Sequence, residues 1–87
     1  MAHILVHHKV EEYNKWEKAF DAHSSFRTDN GSVSEKVFRN AEDSNDVFVL
    51  LEFQSIASGK NFAQSDNLRD VMKEAGVVGI PSVYFLE

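Results

Sequence analysis

The pattern of hydrophobic and polar positions is most unusual in residues 47–54. This segment is a predicted β-strand with apolar side chains on both of its faces. The odd-numbered residues from 47 to 53 point to one side, while Phe48 and Leu50 point to the other. The predicted last strand, Val83–Leu86, repeats this pattern. A sheet with two apolar faces must have both of them covered. A chain of 87 residues can cover only one face, so the pattern predicts a partner subunit.

Residues 11–29 change to a helical period. Large side chains recur at spacings of three and four, which is typical of one face of an amphipathic helix; they are Tyr13, Trp16, Phe20, His23 and Phe26. Glu11 and Glu12 are expected in the first turn, where the helix dipole favours negative charge. Asn30-Gly31 predicts a left-handed cap that ends the helix.

The remaining chain completes the order β-α-β-β-α-β. Further strands are predicted at residues 3–9 and 33–39, with a polar turn over residues 40–46. Ser55 is a predicted cap of the second helix, which is expected to break near Ser65 or Asp66. Gly76 and residues 79–81 are expected to end that helix and turn into the last strand. This order predicts one domain over residues 1–87 with an α+β, ferredoxin-like fold and a four-stranded antiparallel sheet.

In such a fold the helices pack on one face of the sheet and leave the other face open. An open face as apolar as this one would be an exposed patch too large for a monomer. Two sheets that meet face to face about a two-fold axis remove the problem. The sequence therefore predicts a homodimer in which the two sheets form a dimeric α+β barrel.

Composition narrows the classes of partner and location. The formal net charge is −5 and no basic run offsets it, so neither nucleic acid nor an anionic membrane is an expected partner. No apolar run approaches the ~20 residues that cross a bilayer, and the N-terminus lacks the features of a signal peptide. A cytoplasmic protein is therefore predicted. The chain contains no cysteine and no glycine-rich phosphate loop, and no cofactor is expected.

Several segments together resemble small bacterial and archaeal proteins of the dimeric α+β barrel superfamily; they are His8-Lys9-Val10, Tyr13, Trp16, Phe20-Asp21-Ala22-His23, Val37-Phe38-Arg39-Asn40, Val49–Phe53, Ala75–Pro81 and Tyr84-Phe85. The resemblance covers essentially the whole chain. It implies a homodimer with a pocket between helices and sheet in each subunit. The superfamily includes cofactor-independent antibiotic-biosynthesis monooxygenases, haem-degrading enzymes, polyketide cyclases and stress-responsive barrels without assigned chemistry.

The chain departs from two patterns of that superfamily. Haem-degrading members have an Asn on the first strand, a Trp on the third and a His on the second helical segment. Here the first strand has His7 and His8, the third has no Trp, and residues 55–75 contain no His. The monooxygenase pattern of Asn and Trp is not reproduced either, because Trp16 on the first helix is the only Trp. A shared fold does not by itself imply a shared activity.

Three residues are candidates for catalysis: His8, His23 and Glu52. Imidazole transfers protons near neutral pH, and a carboxylate can orient it and raise its pKa. If His8 faces the helices together with Ile4 and Val6, the two imidazoles can flank one pocket. Flat apolar walls of the kind that small-ligand sites need would come from four aromatic residues: Tyr13, Trp16, Phe20 and Phe26.

Each candidate also has a structural interpretation. A histidine on the apolar face of a helix is more often a hydrogen-bonded core residue, and Trp16 and Phe20 are typical of core packing. Glu52 is surprising within an apolar strand, because an unpaired buried carboxylate is costly. It is alternatively expected to pair with Lys36 or Arg39, or to face the dimer interior if the odd positions of its strand face the helices.

A metal site is disfavoured. His3 and His7 share a strand face but lie about 13 Å apart by strand rise, too far to chelate one ion alone, and no cysteine, HExxH or calcium-loop spacing supports a site. The leading hypothesis is a cofactor-independent monooxygenase-like or cyclase-like enzyme that acts on a small aromatic or polyketide-like molecule. The alternative is a non-catalytic dimeric module that binds a small apolar ligand or serves in a stress response.

Overall fold

The computed structural model describes residues 1–87 and contains four strands and four helices. In chain order they are β1 (Ala2–Val10), α1 (Tyr13–Ala22), α2 (Ser24–Asp29), β2 (Ser32–Asn40), β3 (Asp43–Phe53), α3 (Ile56–Ala63), α4 (Asp66–Glu74) and β4 (Val77–Leu86). The strands form one antiparallel sheet in the order β2-β3-β1-β4. The predicted ferredoxin-like α+β fold is confirmed, with each predicted helical region divided into two helices.

The pairing of β1 with β3 assigns alternate residues to the two faces of the sheet. Ile4 lies opposite Leu51 on the face that the helices cover, where both side chains are buried. His7 lies opposite Phe48 on the face without helices, which we call the open face. The open-face residues of the two central strands are His3, Leu5, His7, Lys9, Asp46, Phe48, Leu50 and Glu52. The prediction that β3 is apolar on both faces is therefore confirmed.

The hydrophobic core lies between the helices and the covered face of the sheet. Its buried members are Ile4, Val6, Val10, Trp16, Val47, Val49, Leu51, Phe53, Phe62 and Ala75. The open face has no such cover: Phe38 and Tyr84 are each 53 % exposed. None of the helices is both long enough and apolar enough to cross a membrane.

The single helix predicted over residues 11–29 is wrong in two respects. Helix α1 begins at Tyr13, so Glu11 and Glu12 precede its first turn, and Glu12 occupies the N-cap position with extended backbone. The helix then ends at His23, whose φ of −100° and ψ of 13° leave the helical region before α2 begins. After this corner, Arg27 of α2 lies against β2, where it contacts Glu35.

The predicted caps are confirmed. The side chains of Ser55 and Ser65 accept hydrogen bonds from the backbone N–H groups three residues later, each at 3.2 Å, and so begin α3 and α4. Gly31 and Gly76 follow α2 and α4 with φ values of 99° and 85°, a conformation that glycine adopts without a steric penalty.

The polar turn predicted over residues 40–46 is shorter than expected, because β3 begins at Asp43. Its polar residues have specific partners: the Asn45 side chain accepts from the first N–H of α1, and Asp46 accepts from His7. These tertiary contacts override the low strand propensity of Asn and Asp. Residues 79–81, predicted as a turn, instead lie within β4 as an irregularity in its pairing with β1.

Candidate functional site

A cavity of about 60 Å³ lies between the covered face of the sheet, the corner between α1 and α2, and helix α4. Its lining is apolar apart from His8, His23 and Arg27. The aromatic part of the wall consists of Trp16, Phe20, Phe26 and Phe62, and α4 adds Leu68, Val71 and Met72. The structure therefore forms a small apolar chamber with three nitrogen-bearing groups in its wall.

His8 points into this cavity from the centre of the sheet. It follows Ile4 and Val6 on the covered face of β1, as the alternation of the strand predicts, and it is only 5 % exposed. Its ring meets Trp16 edge-on with 5.7 Å between ring centroids. The Nδ1 atom is buried and has no hydrogen-bond partner in the protein. Burial lowers the pKa of His8 below its ordinary value of 6.5, so the imidazole is neutral at pH 7.

His23 reaches the same cavity from the corner between α1 and α2. Its ring stacks on Phe26 with 5.1 Å between centroids, and its Nε2 atom is likewise buried without a partner. The sequence prediction that His23 and His8 flank one pocket is consistent with this placement. No group of the protein pairs with either of these two ring nitrogens.

Two unpaired imidazole nitrogens in one cavity indicate a place for a polar atom from outside the chain. A buried polar atom left unpaired costs about 1–3 kcal/mol, so native structures usually satisfy such atoms with water or a ligand. By the same measure of volume a single water needs about 10–15 Å³, and the cavity has room for more than one. A neutral imidazole can also accept a proton from a bound molecule.

Arg27 is a cavity residue that the sequence analysis missed. Its guanidinium donates to both carboxylate oxygens of Glu35, at 2.5 and 3.1 Å, and to the backbone carbonyl of Phe20 at 2.7 Å. It also lies flat against the Phe20 ring, 3.6 Å from the centroid. These contacts fasten α2 to the end of α1 and to β2. Arg27 follows Phe20 by seven residues, so its position on the apolar stripe was a usable signal.

Two of the predicted site residues, Tyr13 and Glu52, lie outside the cavity. Tyr13 packs behind Trp16, with 5.7 Å between ring centroids, and Arg39 lies 3.7 Å from the centre of its ring. Burial, with a smaller contribution from the Glu17 hydrogen bond, raises the pKa of Tyr13. Tyr13 therefore supports the aromatic wall from behind.

Glu52 lies on the open face, and the structure does not bring it together with His8 and His23. Its carboxylate accepts a hydrogen bond from Ser34 at 3.0 Å and lies 3.7 Å from the ring of His3. The expected pairing with Lys36 or Arg39 is wrong, because neither reaches the carboxylate. The interpretation that Glu52 faces the predicted dimer interior fits this position.

A second polar cluster, also missed from the sequence, lies on the open face around Asp46. The carboxylate accepts hydrogen bonds from Asn40 at 3.1 Å and from His7 at 2.6 Å. The Asn40 bond first, and then the His7 bond, hold the pKa of Asp46 below its ordinary value, although desolvation opposes them. His7 in turn stacks on Phe48 with 4.2 Å between centroids. No group of three or more potential ligands is arranged to hold a metal ion.

Comparison with known proteins finds similarity in structure rather than in sequence. No protein-family model and no curated protein sequence matches the chain. A candidate antibiotic biosynthesis monooxygenase from Bordetella bronchiseptica superposes with a TM-score of 0.82 at 12 % identity, covering 99 % of this chain and 94 % of that one. SnoaB, a cofactor-independent oxygenase from Streptomyces nogalater, superposes in a mutant form with a TM-score of 0.78 at 10 % identity, covering 99 % and 90 %.

A conserved protein from Methanosarcina mazei has the same fold, with a TM-score of 0.67 at 12 % identity and coverage of 99 % and 90 %. These similarities extend over nearly the full length of each chain. They confirm the resemblance that the sequence indicated, as a likeness of fold. At such low identity the residues of the cavity must be interpreted from their own chemistry.

Proposed function

We propose that this protein is a cofactor-independent monooxygenase-like enzyme that oxidises a small electron-rich aromatic molecule with dioxygen, using His8 as the base. One observation carries the proposal: a neutral, buried imidazole presents an unpaired nitrogen to an aromatic-walled cavity. A fold shared with SnoaB, a cofactor-independent oxygenase, supports it. Chemistry of this kind needs a base and an apolar chamber, and the cavity offers both.

The reaction begins when an imidazole nitrogen of His8 takes a proton from an acidic C–H group of the substrate. The resulting carbanion, delocalised over the aromatic ring, transfers electrons to dioxygen, and a C–O bond forms. The peroxide oxygen receives the proton back from the imidazolium. Loss of water from this hydroperoxide converts the original CH₂ into C=O, so one oxygen atom enters the product and the other leaves as water.

The aromatic wall has two functions in this scheme. Trp16 and Phe20 stack on each other with 4.9 Å between centroids and form an apolar aromatic wall against which a substrate ring can pack. The apolar lining also keeps water away from the carbanion, which water would otherwise reprotonate. His23 is the second polar contact of the substrate, because its buried Nε2 lacks a partner until a ligand is bound.

Helix α4 is the wall that must move to admit an aromatic ring. A cavity that holds one benzene molecule in an engineered protein core has about 150 Å³, and this cavity has only about 60 Å³. None of the residues of α4 is fully buried, although Leu68 and Met72 contact the core. A helix so lightly held is the least costly part of the lining to displace.

The same small volume favours a second candidate function, a non-catalytic module that binds a small apolar ligand. In that case the two imidazoles hold a polar atom of the ligand and transfer no proton. Dioxygen consumption separates the two functions, because only the enzyme consumes it in proportion to product.

Both candidate functions include the predicted homodimer. Phe38, Tyr84, Leu86 and Val78 are 43–53 % exposed on the sheet, and a second copy that packs its own open face against them would bury them. Such an arrangement leaves one cavity in each subunit on the far side of its sheet. The cytoplasmic location stays a prediction from the sequence.

The test measures dioxygen consumption with a panel of quinols and anthrone-like compounds in the presence of a metal chelator. Wild-type protein is expected to consume one dioxygen per product molecule. His8→Gln should abolish the reaction, whereas His3→Gln, a matched change on the open face of the same strand, should leave it intact. Binding without dioxygen consumption would support the ligand-binding module instead.

A further inference from the structure

Arg27 has hydrogen-bonding capacity that the protein does not use. Its side chain is only 6 % exposed. A guanidinium carries five N–H donors, and three of them are donated to Glu35 and to the carbonyl oxygen of Phe20. The other two have no acceptor within the chain. Because Arg27 lines the cavity, a ligand there is the available acceptor.

Each of the three polar groups in the cavity wall can donate a hydrogen bond, and none of them is a carboxylate. They are His8 from β1, His23 from the corner between α1 and α2, and Arg27 from α2. Helices α3 and α4 contribute only apolar side chains to the wall. Glu35 of β2 holds Arg27 but does not line the cavity. Such a wall is complementary to an oxygen atom that carries negative charge.

We propose that the cavity binds the ionised form of an acidic phenol or enol, with the charged oxygen at Arg27 and the ring against Trp16 and Phe20. The inference rests on the proposed function and deepens it by naming the substrate as an anion. The guanidinium lies 3.6 Å from the centre of the Phe20 ring, so the cation and the aromatic wall are adjacent. One ligand can therefore contact both, and a charge-assisted hydrogen bond is strong where water is excluded.

The anion also makes chemical sense for oxidation by dioxygen. A phenolate or enolate is richer in electrons than its neutral parent and transfers them more readily. Arg27 stabilises this form of the substrate before dioxygen arrives, while His8 remains neutral and free to remove a further proton. Arg27 is then a residue that contacts substrate, with Glu35 as the residue that positions it.

The test uses 4-nitrophenol, whose ionised form absorbs visible light, as a probe of the cavity. The pKa of the probe is measured free and bound to wild-type protein between about pH 6.5 and 9, a range above the lowered pKa of His8. We expect the bound probe to have a pKa lower by about one unit, a tenfold preference for the anion worth about 1.4 kcal/mol. An unchanged or raised pKa would overturn the inference but not the proposed function, because apolar burial alone disfavours an anion. Failure to bind either form contradicts both.

Variants assign the effect to Arg27. The double substitution Arg27→Gln and Glu35→Gln removes both charges and keeps polar amides in their place, so it should abolish the lowered pKa of the probe. His8→Gln should preserve it; if His8→Gln abolishes it and the double variant does not, the anion binds at His8 and the inference is wrong. Arg27→Lys keeps the charge without the planar fork and serves if the double variant does not fold. Arg27→Lys should retain part of the decrease in the pKa of the bound probe. Complete loss of that decrease would count against an effect of the charge.

Discussion

The Nε2 atom of His7 lies 2.6 Å from a carboxylate oxygen of Asp46, joining β1 to β3 across the open face of the sheet. Asn40 of β2 donates to the other oxygen of the same carboxylate. One carboxylate therefore ties three strands together at the end of the sheet where the β2–β3 turn begins. This cluster accounts for a stretch of polar residues inside a strand.

Replacing Asp46 by Asn should lower the free energy of unfolding at pH 7 by more than it does near pH 3. The native pKa of Asp46 lies below its ordinary value of 3.8, chiefly because Asn40 donates to the carboxylate. Its stabilising contribution is therefore present above that value and lost as the pH falls through the lower native pKa. Urea unfolding at both pH values, at one protein concentration, measures the difference.

Asp43→Asn is the matched control for this prediction, because Asp43 is a second carboxylate of β3 that faces Lys9 at the surface. Its effect should stay within about 0.5 kcal/mol at either pH. Equal losses in the two variants would show that the Asp46 cluster has no special importance.

Trp16 should report the protonation of His8. It is the only tryptophan, it is 4 % exposed, and the His8 ring meets it edge-on. A protonated imidazole quenches indole emission, so fluorescence should fall with acidification at a midpoint below pH 6.5, since burial lowers the pKa of His8. His8→Gln should remove this transition and His3→Gln should leave it. A midpoint at or above 6.5 would contradict the buried neutral imidazole.

The same pKa shift makes stability depend on pH. Because the native pKa of His8 is lower than the unfolded value, the unfolded chain binds the proton more readily. The contribution of His8 to stability is therefore complete above pH 6.5 and is lost as the pH falls below that value. Urea unfolding at pH 7.5 and pH 5 should show a smaller loss in His8→Gln than in wild type. An identical loss in both proteins would assign the pH dependence to other groups.

Gly59 should not tolerate alanine, although alanine is favoured in helices by about 1 kcal/mol. A Cβ at this position of α3 would lie 2.8 Å from Cδ1 and 3.2 Å from Cγ1 of Ile4, a fully buried side chain. Overpacking of a core typically costs about 1–3 kcal/mol, so Gly59→Ala should be destabilising. Adding Ile4→Val, which removes Cδ1, should recover part of the loss in a double-mutant cycle. Simple additivity of the two changes would refute the close-packing explanation.

A charge at the centre of the open face should separate the subunits. Leu50 lies there between neighbours on β1 and β2, and Leu50→Lys would put a charge within the proposed interface. Light scattering at micromolar concentration should give a dimer for wild type and a monomer for this variant. Ala57→Lys adds the same charge to an exposed position of α3 and should remain dimeric. A folded monomeric wild type would refute the dimer.

Alternation along the strands was sufficient to place His8, because Ile4 and Val6 define the covered face and His8 follows in phase. The helical period in the same way predicted that His23 faces the core, because it follows Trp16 and Phe20 in phase. The corner at His23 was not predictable, because neither glycine nor proline marks it. Arg27 was not predicted as a cavity residue because arginine is rarely buried, and its partner Glu35 belongs to a separate element, the strand β2.

The ends of the strands were predicted less well than their middles. Polar residues from 43 to 46 have the composition of a turn, and partners from other elements, such as His7 for Asp46 and Tyr13 for Asn45, help to hold them in a strand. These partners are distant in sequence or belong to another strand, so local composition cannot reveal them. The face of the sheet on which Glu52 lies was predictable, while its contact with Ser34 depends on the register in which β2 pairs with β3.

The central position of β1 has a consequence for how the chain folds during synthesis. This strand is synthesised before the other three, yet its neighbours are β3 and β4, and Ile4 pairs with Phe85 of the last strand. Its apolar side chains cannot complete these contacts until β4 has been synthesised, and such non-local pairings form slowly. The β2–β3 hairpin, joined by a short turn, is free to form earlier and can act as the template on which the first strand docks.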